Sequence, residues 1–177
     1  SLKSVSNTLH IVNNADFTLA LSRGFSRLDS MFITLFHTVE GGAKEINTFY
    51  HPHGNTALTK AGDSVSWQIQ IGSKKIPEYR CDTLAETFYR LQMVLGMHVG
   101  SDSMNINAHQ FSDNAHIIGC DFEKVSSSAQ AEFTGLNSKE ALLTANLKGC
   151  GDADKCFVTL AYSAVVNITN GSVEILE

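Results

Sequence analysis

Two histidines, His51 and His53, stand on either side of Pro52 and are the first candidates for metal chemistry in this chain. In an extended loop this spacing turns both imidazoles to one side, where they could chelate a metal ion. A third ligand is not evident from the spacing, because the other candidates could join the pair only through the fold: His37, His98, His109 and His116. We therefore expect loop histidines exposed to solvent and no metal site.

A short acidic segment, Gly-Asp-Ala-Asp-Lys, resembles the start of a calcium-binding loop. With Asp152 in the first position and Asp154 in the third, the sixth position is Phe157 and the twelfth is Ser163. An EF-hand requires Gly in the sixth position and a bidentate Glu in the twelfth. The spacing excludes an EF-hand and favours an acidic hairpin loop.

Paired carboxylates at Asp121 and Glu123 would share one face of a strand, a spacing that acid–base chemistry can use. Like charges so placed are more often simply solvated. The sequence has no Gly-x-Ser-x-Gly elbow, no Gly-x-Gly-x-x-Gly fingerprint and no P-loop. We therefore expect no enzyme, with no catalytic, cofactor-binding or metal-binding residues. Arg23, Arg27 and Arg80 lie near acidic residues and are expected to form salt bridges, within a subunit or across subunits.

The four cysteines are too few for a disulfide-stapled miniprotein. Cys120 lies in an apolar run and is expected to be buried. Cys150 and Cys156 flank the acidic segment and could bridge it. Free thiols are the preferred interpretation, because disulfides are rare inside cells.

Composition excludes several classes of protein. The chain has 177 residues, 43% hydrophobic and 18% charged, which is typical of one folded domain with a sizeable core. Its net charge is −5 and it has no basic block, so direct binding to nucleic acid is not expected. No apolar run reaches 18 residues, which predicts no membrane span.

One stretch organises the chain: a strand followed by the clearest helix. Residues 64–71 alternate apolar and polar side chains, which predicts a half-buried strand that ends before Pro77. Residues 83–96 then change to a helical period, with Thr83 and Glu86 as a capping box and Gly96 as a left-handed cap. The apolar stripe of this helix is Leu84, Phe88, Leu91 and Leu95.

Most of the remaining chain has the pattern of strands and loops. Strands are predicted over residues 4–12, 17–21, 28–39, 115–122, 142–147 and 157–168, with a final strand around 173–175 after the Asn170-Gly171 turn signal. Residues 97–114 are polar and are predicted to form a long loop. The fold class is therefore all-β, an antiparallel jelly-roll sandwich with one inserted α-helix at about residues 83–96.

Several segments taken together resemble a known family. They are residues 23–28 leading into 31–36, residues 45–52, residues 67–77 with the following helix, and residues 157–177. The arrangement is similar to the C-terminal jelly roll of major capsid proteins in the double-jelly-roll lineage, the adenovirus- and PRD1-like lineage. The resemblance implies a structural protein of the virion that self-assembles inside the host cell. Its implied partners are copies of itself or a companion roll, as a trimer, and other capsid proteins.

The family's subunit carries two rolls, whereas residues 1–177 have room for one. We therefore expect a single domain that is a fragment, a cleaved half or a relative with one roll.

Two other functions remain open at this stage. The first is a β-sandwich module that binds carbohydrate or another ligand through Phe49, Tyr50 and Tyr79 with His51 and His53. The second is a cupin-type metal enzyme, which requires the His-x-His pair and a later histidine to point into the barrel.

Overall fold

The computed structural model describes residues 2–12, 14–36, 51–52, 64–95, 106–122, 137–139, 141–151, 153–169 and 172–176. These residues contain two helices and nine strands, which in chain order are β1 (Leu2–Ile11), β2 (Phe17–Leu21), β3 (Leu28–Phe36), β4 (Ser66–Ile71), β5 (Lys74–Cys81), α1 (Leu84–Val94), α2 (Ala108–Asp113), β6 (Ile117–Asp121), β7 (Leu143–Lys148), β8 (Lys155–Thr169) and β9 (Ser172–Leu176).

The strands form two antiparallel sheets. The first has the order β1-β8-β3-β6, with β9 paired to the far end of β8, and the second has the order β2-β7-β4-β5. Four of the pairings are nested along the chain: β1 with β8, β2 with β7, β3 with β6, and β4 with β5. Alternate pairs of this nest fall in opposite sheets. The predicted all-β antiparallel sandwich with an inserted helix is thus confirmed.

Alternation along the strands builds the core between the two sheets. In β8 the buried side chains include Cys156, Val158 and Leu160, while Phe157 and Thr159 lie on the other face. Because directly paired residues share a face, this register decides which side chains of β1 and β3 point inward. The largest side chains of the contiguous core that are at most 1% exposed are Phe25, Leu28, Met31, Ile33, Leu35, Trp67, Ile69, Ile118, Leu143 and Leu147.

Pro77 lies inside a strand, not beyond one. The predicted strand ends at Ile71, a turn at Gly72 (φ 58°) follows, and the chain then returns as β5, which the sequence analysis missed. β5 is an edge strand, so a residue without an N–H is tolerated there. The register shifts between Trp67 and Ile69, and the Gln68 side chain donates to the carbonyl oxygens of Pro77 (3.0 Å) and Glu78 (3.1 Å).

Helix α1 is confirmed, with bounds slightly inside the predicted ones. Thr83 is its N-cap, and the Thr83 hydroxyl accepts from the backbone N–H of Glu86 at 3.2 Å. The Glu86 carboxylate is engaged with Arg90 at 2.8 Å, one turn along the helix. The C-cap is Leu95 in a right-handed conformation, and the predicted cap at Gly96 lies outside the described residues.

The predicted long loop at residues 97–114 is wrong over its second half, which contains helix α2. Asn107 caps it, and both halves of a capping box are formed: the Gln110 N–H donates to Asn107 Oδ1 at 2.8 Å, and the Asn107 N–H donates to Gln110 Oε1 at 3.1 Å. Six residues are too short to show a helical period, so the polar composition concealed the helix. Residues 97–105 lie outside the described residues.

The other strand predictions agree with the structure where it describes them. β3 lies between β8 and β6 in its sheet, and the predicted strand residues 37–39 fall outside the described residues. Within the described ranges, no helix is both long and apolar enough to cross a membrane.

Candidate functional site

The structure brings together two of the predicted histidines, His51 and His116. Both side chains are 1% exposed, so the prediction that His51 is exposed to solvent is wrong. Their ring centroids lie 4.5 Å apart in an edge-to-face arrangement. The backbone N–H of His51 donates to the backbone carbonyl oxygen of Asp113 at 3.1 Å, which fixes this part of the chain to the end of α2. Phe111 of α2 packs on His116 at 4.9 Å and on Phe88 of α1 at 4.8 Å. This small aromatic cluster joins both helices to the start of β6.

Burial lowers the pKa of His116 well below its ordinary value of 6.5, and the neighbouring His51 lowers it further. His116 is therefore neutral at physiological pH. Its Nδ1 atom is buried and has no hydrogen-bond partner among the described residues. Among all the residues that the structure describes, no three His, Cys, Asp or Glu side chains are grouped closely enough to hold a metal ion. Two imidazoles alone are a weak metal site, because protein metal centres use three or four ligands.

The remaining candidates for metal or acid–base chemistry do not converge on this pair. His109 is exposed on α2, and Asp121 is exposed at the end of β6. Asp154 takes part in backbone bonds, donating its N–H to Phe36 at 2.9 Å and accepting from Val12 at 2.7 Å. The other predicted positions lie outside the described residues: His37, His53, His98, Glu123 and Asp152.

All four cysteines are buried free thiols, which confirms the preferred interpretation. Burial is the main cause that raises the pKa of Cys120, Cys150 and Cys156 to about 12, and at Cys150 the nearby Cys156 contributes to the rise. Burial likewise raises the pKa of Cys81. The thiolate is the nucleophilic form, so these side chains behave as small apolar groups and not as catalysts.

Two of the arginines predicted to form salt bridges, Arg80 and Arg23, make contacts with neutral groups. Arg80 donates to the Ser66 hydroxyl at 2.8 Å and to the Ser66 carbonyl oxygen at 3.0 Å, across the β4–β5 edge. The Arg23 guanidinium lies over the rings of Phe25 (5.2 Å) and Tyr162 (5.7 Å). It also donates to the Ser6 hydroxyl at 3.4 Å. For Arg80 the predicted ion pair is replaced by backbone and hydroxyl acceptors.

Helix α1 follows β5 in the chain and contacts both sheets. The Trp67 indole N–H donates to the hydroxyl of Thr87 at 3.0 Å, and Thr87 is 1% exposed. On the other side, Leu91 packs on Gly119 of β6 so closely that an added Cβ would lie 3.1 Å from Leu91 Cδ1. The predicted apolar stripe is thus confirmed at Leu91, while the sequence analysis missed the buried polar role of Thr87.

The outer face of the first sheet, turned away from the core, carries uncovered apolar side chains. On β1 the exposed fractions are 59% for Val5, 50% for Leu9 and 78% for Ile11. Phe157 of β8 is directly opposite Leu9 and is 36% exposed, with its ring 5.0 Å from that of Phe36. We call these five residues the apolar outer face. Contiguous exposed apolar surface of this kind marks interaction sites.

An aromatic ligand platform is not assembled by the described residues. Tyr79 is 82% exposed, but it stands on the β5 edge, and Phe49 and Tyr50 lie outside the described residues. A separate open cleft of about 240 Å³ is lined mainly by the residues after β2 and before β7: Leu21, Ser22, Arg23, Gly24, Ser138, Lys139, Ala141 and Leu142. Its narrow floor requires a glycine at position 24, since an added Cβ would lie 2.8 Å from the Cα of Lys139.

A scan against protein-family models and a search of curated proteins both returned no match to this sequence.

Proposed function

We propose that this chain is a structural protein of a viral capsid, folded as one jelly roll that assembles with copies of itself or a companion roll. The observation that carries the proposal is the nested pairing of eight strands, in which the outermost pair is β1 with β8 and the innermost is β4 with β5. A long antiparallel hairpin that is rolled up places alternate pairs in opposite sheets and produces two Greek keys face to face. This pairing pattern supports a jelly roll, an architecture common in viral capsids.

The surface supports an assembly role. Val5, Leu9 and Ile11 expose half or more of their area on one edge strand. In a lone domain such side chains cost solubility, whereas symmetric assembly would bury them. Among the described residues the four thiols and His116 are buried, so none of them is a reactive group at the surface.

Lectins and cupins also use jelly rolls, so the fold alone does not decide the function. The cupin hypothesis needs histidines between the two sheets. His51 and His116 instead belong to the cluster around Phe111, which is separate from the contiguous core. The ligand-binding hypothesis needs a shared aromatic platform, and Tyr79 stands apart from the cleft residues. The capsid hypothesis requires neither.

Particle formation tests the proposal. The chain, and the full-length protein that contains it, would be purified and examined by negative-stain microscopy and sedimentation velocity over a range of salt, pH and protein concentration. We expect closed shells or discrete capsomers, with the virion as the site of the assembled protein. A protein that remains monomeric under every condition contradicts the proposal.

A further inference from the structure

The four edge strands of the two sheets differ in how they are protected against pairing with another chain. β5 carries Lys74, Lys75 and Pro77, which discourage the addition of a strand. β2 and β6 have five residues each, and α1 packs on β6. β1, in contrast, has ten residues and no proline, and among the described residues nothing pairs with its outer edge. Natural sheets rarely leave a long apolar edge strand open unless it is an interface.

The polarity of β1 is the reverse of that of an ordinary half-buried strand. Its register with β8 places Ser4, Ser6 and His10 on the core side and Val5 and Leu9 on the outer face. On the inner side the Ser6 hydroxyl accepts a hydrogen bond from the guanidinium of Arg23 at 3.4 Å. A hydroxyl group is suited to this position because it can accept that bond. The apolar positions of β1 therefore contribute little to this domain's own core and are available to a partner.

The sequence of β1 points to the identity of that partner. Centred on Asn7, the segment Ser4-Val5-Ser6-Asn7-Thr8-Leu9-His10 has the same order of residue types in both directions: polar, apolar, polar, Asn, polar, apolar, polar. An antiparallel pair of identical strands is related by a two-fold axis, so the pairing is favourable where the residues at mirror positions are compatible with each other. β1 meets that condition with itself.

We propose that β1 pairs antiparallel with β1 of a second copy, about a two-fold axis through Asn7, which joins the two first sheets into one continuous sheet. The choice of a second copy as the occupant rests on the proposed assembly function. In this register Val5 lies opposite Leu9 of the second copy and Ser6 lies opposite Thr8. The two Asn7 side chains face each other and can exchange amide hydrogen bonds.

Neighbouring registers fit less well. Moving the axis to Thr8 places Leu9 opposite Asn7, and moving it to Ser6 places Val5 opposite Asn7. With the axis at Asn7 the two copies of Lys3 lie at opposite ends of the two-stranded ribbon. Each Lys3 lies opposite Ile11 of the other copy, and the methylene stem of the lysine can cover that apolar side chain.

Cysteine cross-linking tests the register directly. In Asn7→Cys the two new cysteines would lie opposite each other, with Cβ atoms about 4.5–5.5 Å apart, so mild oxidation should give a covalent dimer. A mixture of Val5→Cys and Leu9→Cys should give the mixed dimer in preference to either self-dimer. Thr159→Cys is the matched control, because Thr159 is directly opposite Asn7 one strand further inside. The two copies of that cysteine would be about 14 Å apart, beyond the reach of a disulfide.

Charge insertion tests the energetics by sedimentation. Leu9→Lys should weaken the dimer at least tenfold, because a charged amine would replace the apolar side chain that faces Val5 of the second copy. Tyr79→Lys is the control, since it replaces another exposed side chain, on the edge of the other sheet. Both variants alter exposed positions, so their melting temperatures should stay close to that of the wild type.

Each outcome separates this inference from the proposed function. Particles that form normally while Asn7→Cys stays uncross-linked and Leu9→Lys has no effect overturn the β1 interface and leave the capsid proposal standing. A specific Asn7 cross-link and a dimer sensitive to Leu9→Lys, without particles, support the interface and count against the capsid. A cross-link that forms only with a different chain overturns the second copy as the occupant.

Discussion

Replacing His116 with leucine should remove a specific part of the pH dependence of folding. His116 is 1% exposed, its pKa lies well below 6.5 because of burial and then of His51, and its Nδ1 has no partner in the described part of the chain. The unfolded chain binds a proton near pH 6.5, whereas the folded chain does not until a much lower pH. The unfolded state therefore binds more protons in this window, and the free energy of unfolding decreases as the pH falls.

The size of the effect follows from the linkage relation. A single histidine that titrates only when unfolded contributes RT ln(1 + 10^(6.5 − pH)), which is about 1.4 kcal/mol at pH 5.5 and less than about 0.1 kcal/mol at pH 7.5. His116→Leu should lack this contribution, because leucine does not titrate. The apolar side chain also removes an unsatisfied buried nitrogen, so we expect little loss of stability at pH 7.5.

Denaturant unfolding of both proteins at pH 7.5 and 5.5 measures the difference. The stability of the wild type should decrease by about 1.4 kcal/mol more than that of His116→Leu between these pH values. His109→Gln is the control, because His109 is exposed and its replacement should leave the wild-type slope unchanged. Equal slopes for the wild type and His116→Leu, or an NMR titration of His116 at or above pH 6.5 in the folded protein, would refute the argument.

Three further predictions concern the packing of α1 and the buried thiols. Gly119→Val should cost about 1–3 kcal/mol in the free energy of unfolding, because its side chain would collide with Leu91, and Gly119→Ala should cost less; a neutral Gly119→Val would contradict the close approach. Thr87→Val should cost about 1–3 kcal/mol by leaving the Trp67 indole N–H unpaired, whereas Thr87→Ser keeps the hydroxyl and should retain most of the stability, as thermal melts would show. The four native thiols should react with an aromatic disulfide reagent only after unfolding, and rapid labelling of the folded protein would be inconsistent with their burial.

The fold class was accessible from local pattern because each element carries its own period. Apolar and polar residues alternate at Trp67, Gln68 and Ile69, and a period of two can bury one face only as a strand. The stripe through Leu91 repeats at helical spacing, and Thr83 provides the N-cap that such a helix needs. These signals depend on backbone geometry alone, so a single sequence is enough to show them.

The errors occurred where tertiary context decides the conformation. β5 contains Pro77, which is compatible with a strand only because that strand has a free edge, and the position of the edge is a property of the assembled sheet. Helix α2 has six residues, and it depends on the Asn107 cap and on packing through Phe111. Neither leaves a periodic signal in the sequence.

The sequence by itself determined eight of the nine described strands, the long helix and the absence of any recognisable catalytic motif. Tertiary structure alone decided that β1 pairs with β8 from the far end of the chain, and this pairing turns Val5 and Leu9 to the outside. It also brought His51 beside His116, which are 65 positions apart. The physical reason is that strand pairing and side-chain clustering depend on contacts between distant segments, and local residue spacing carries no information about which segments will meet.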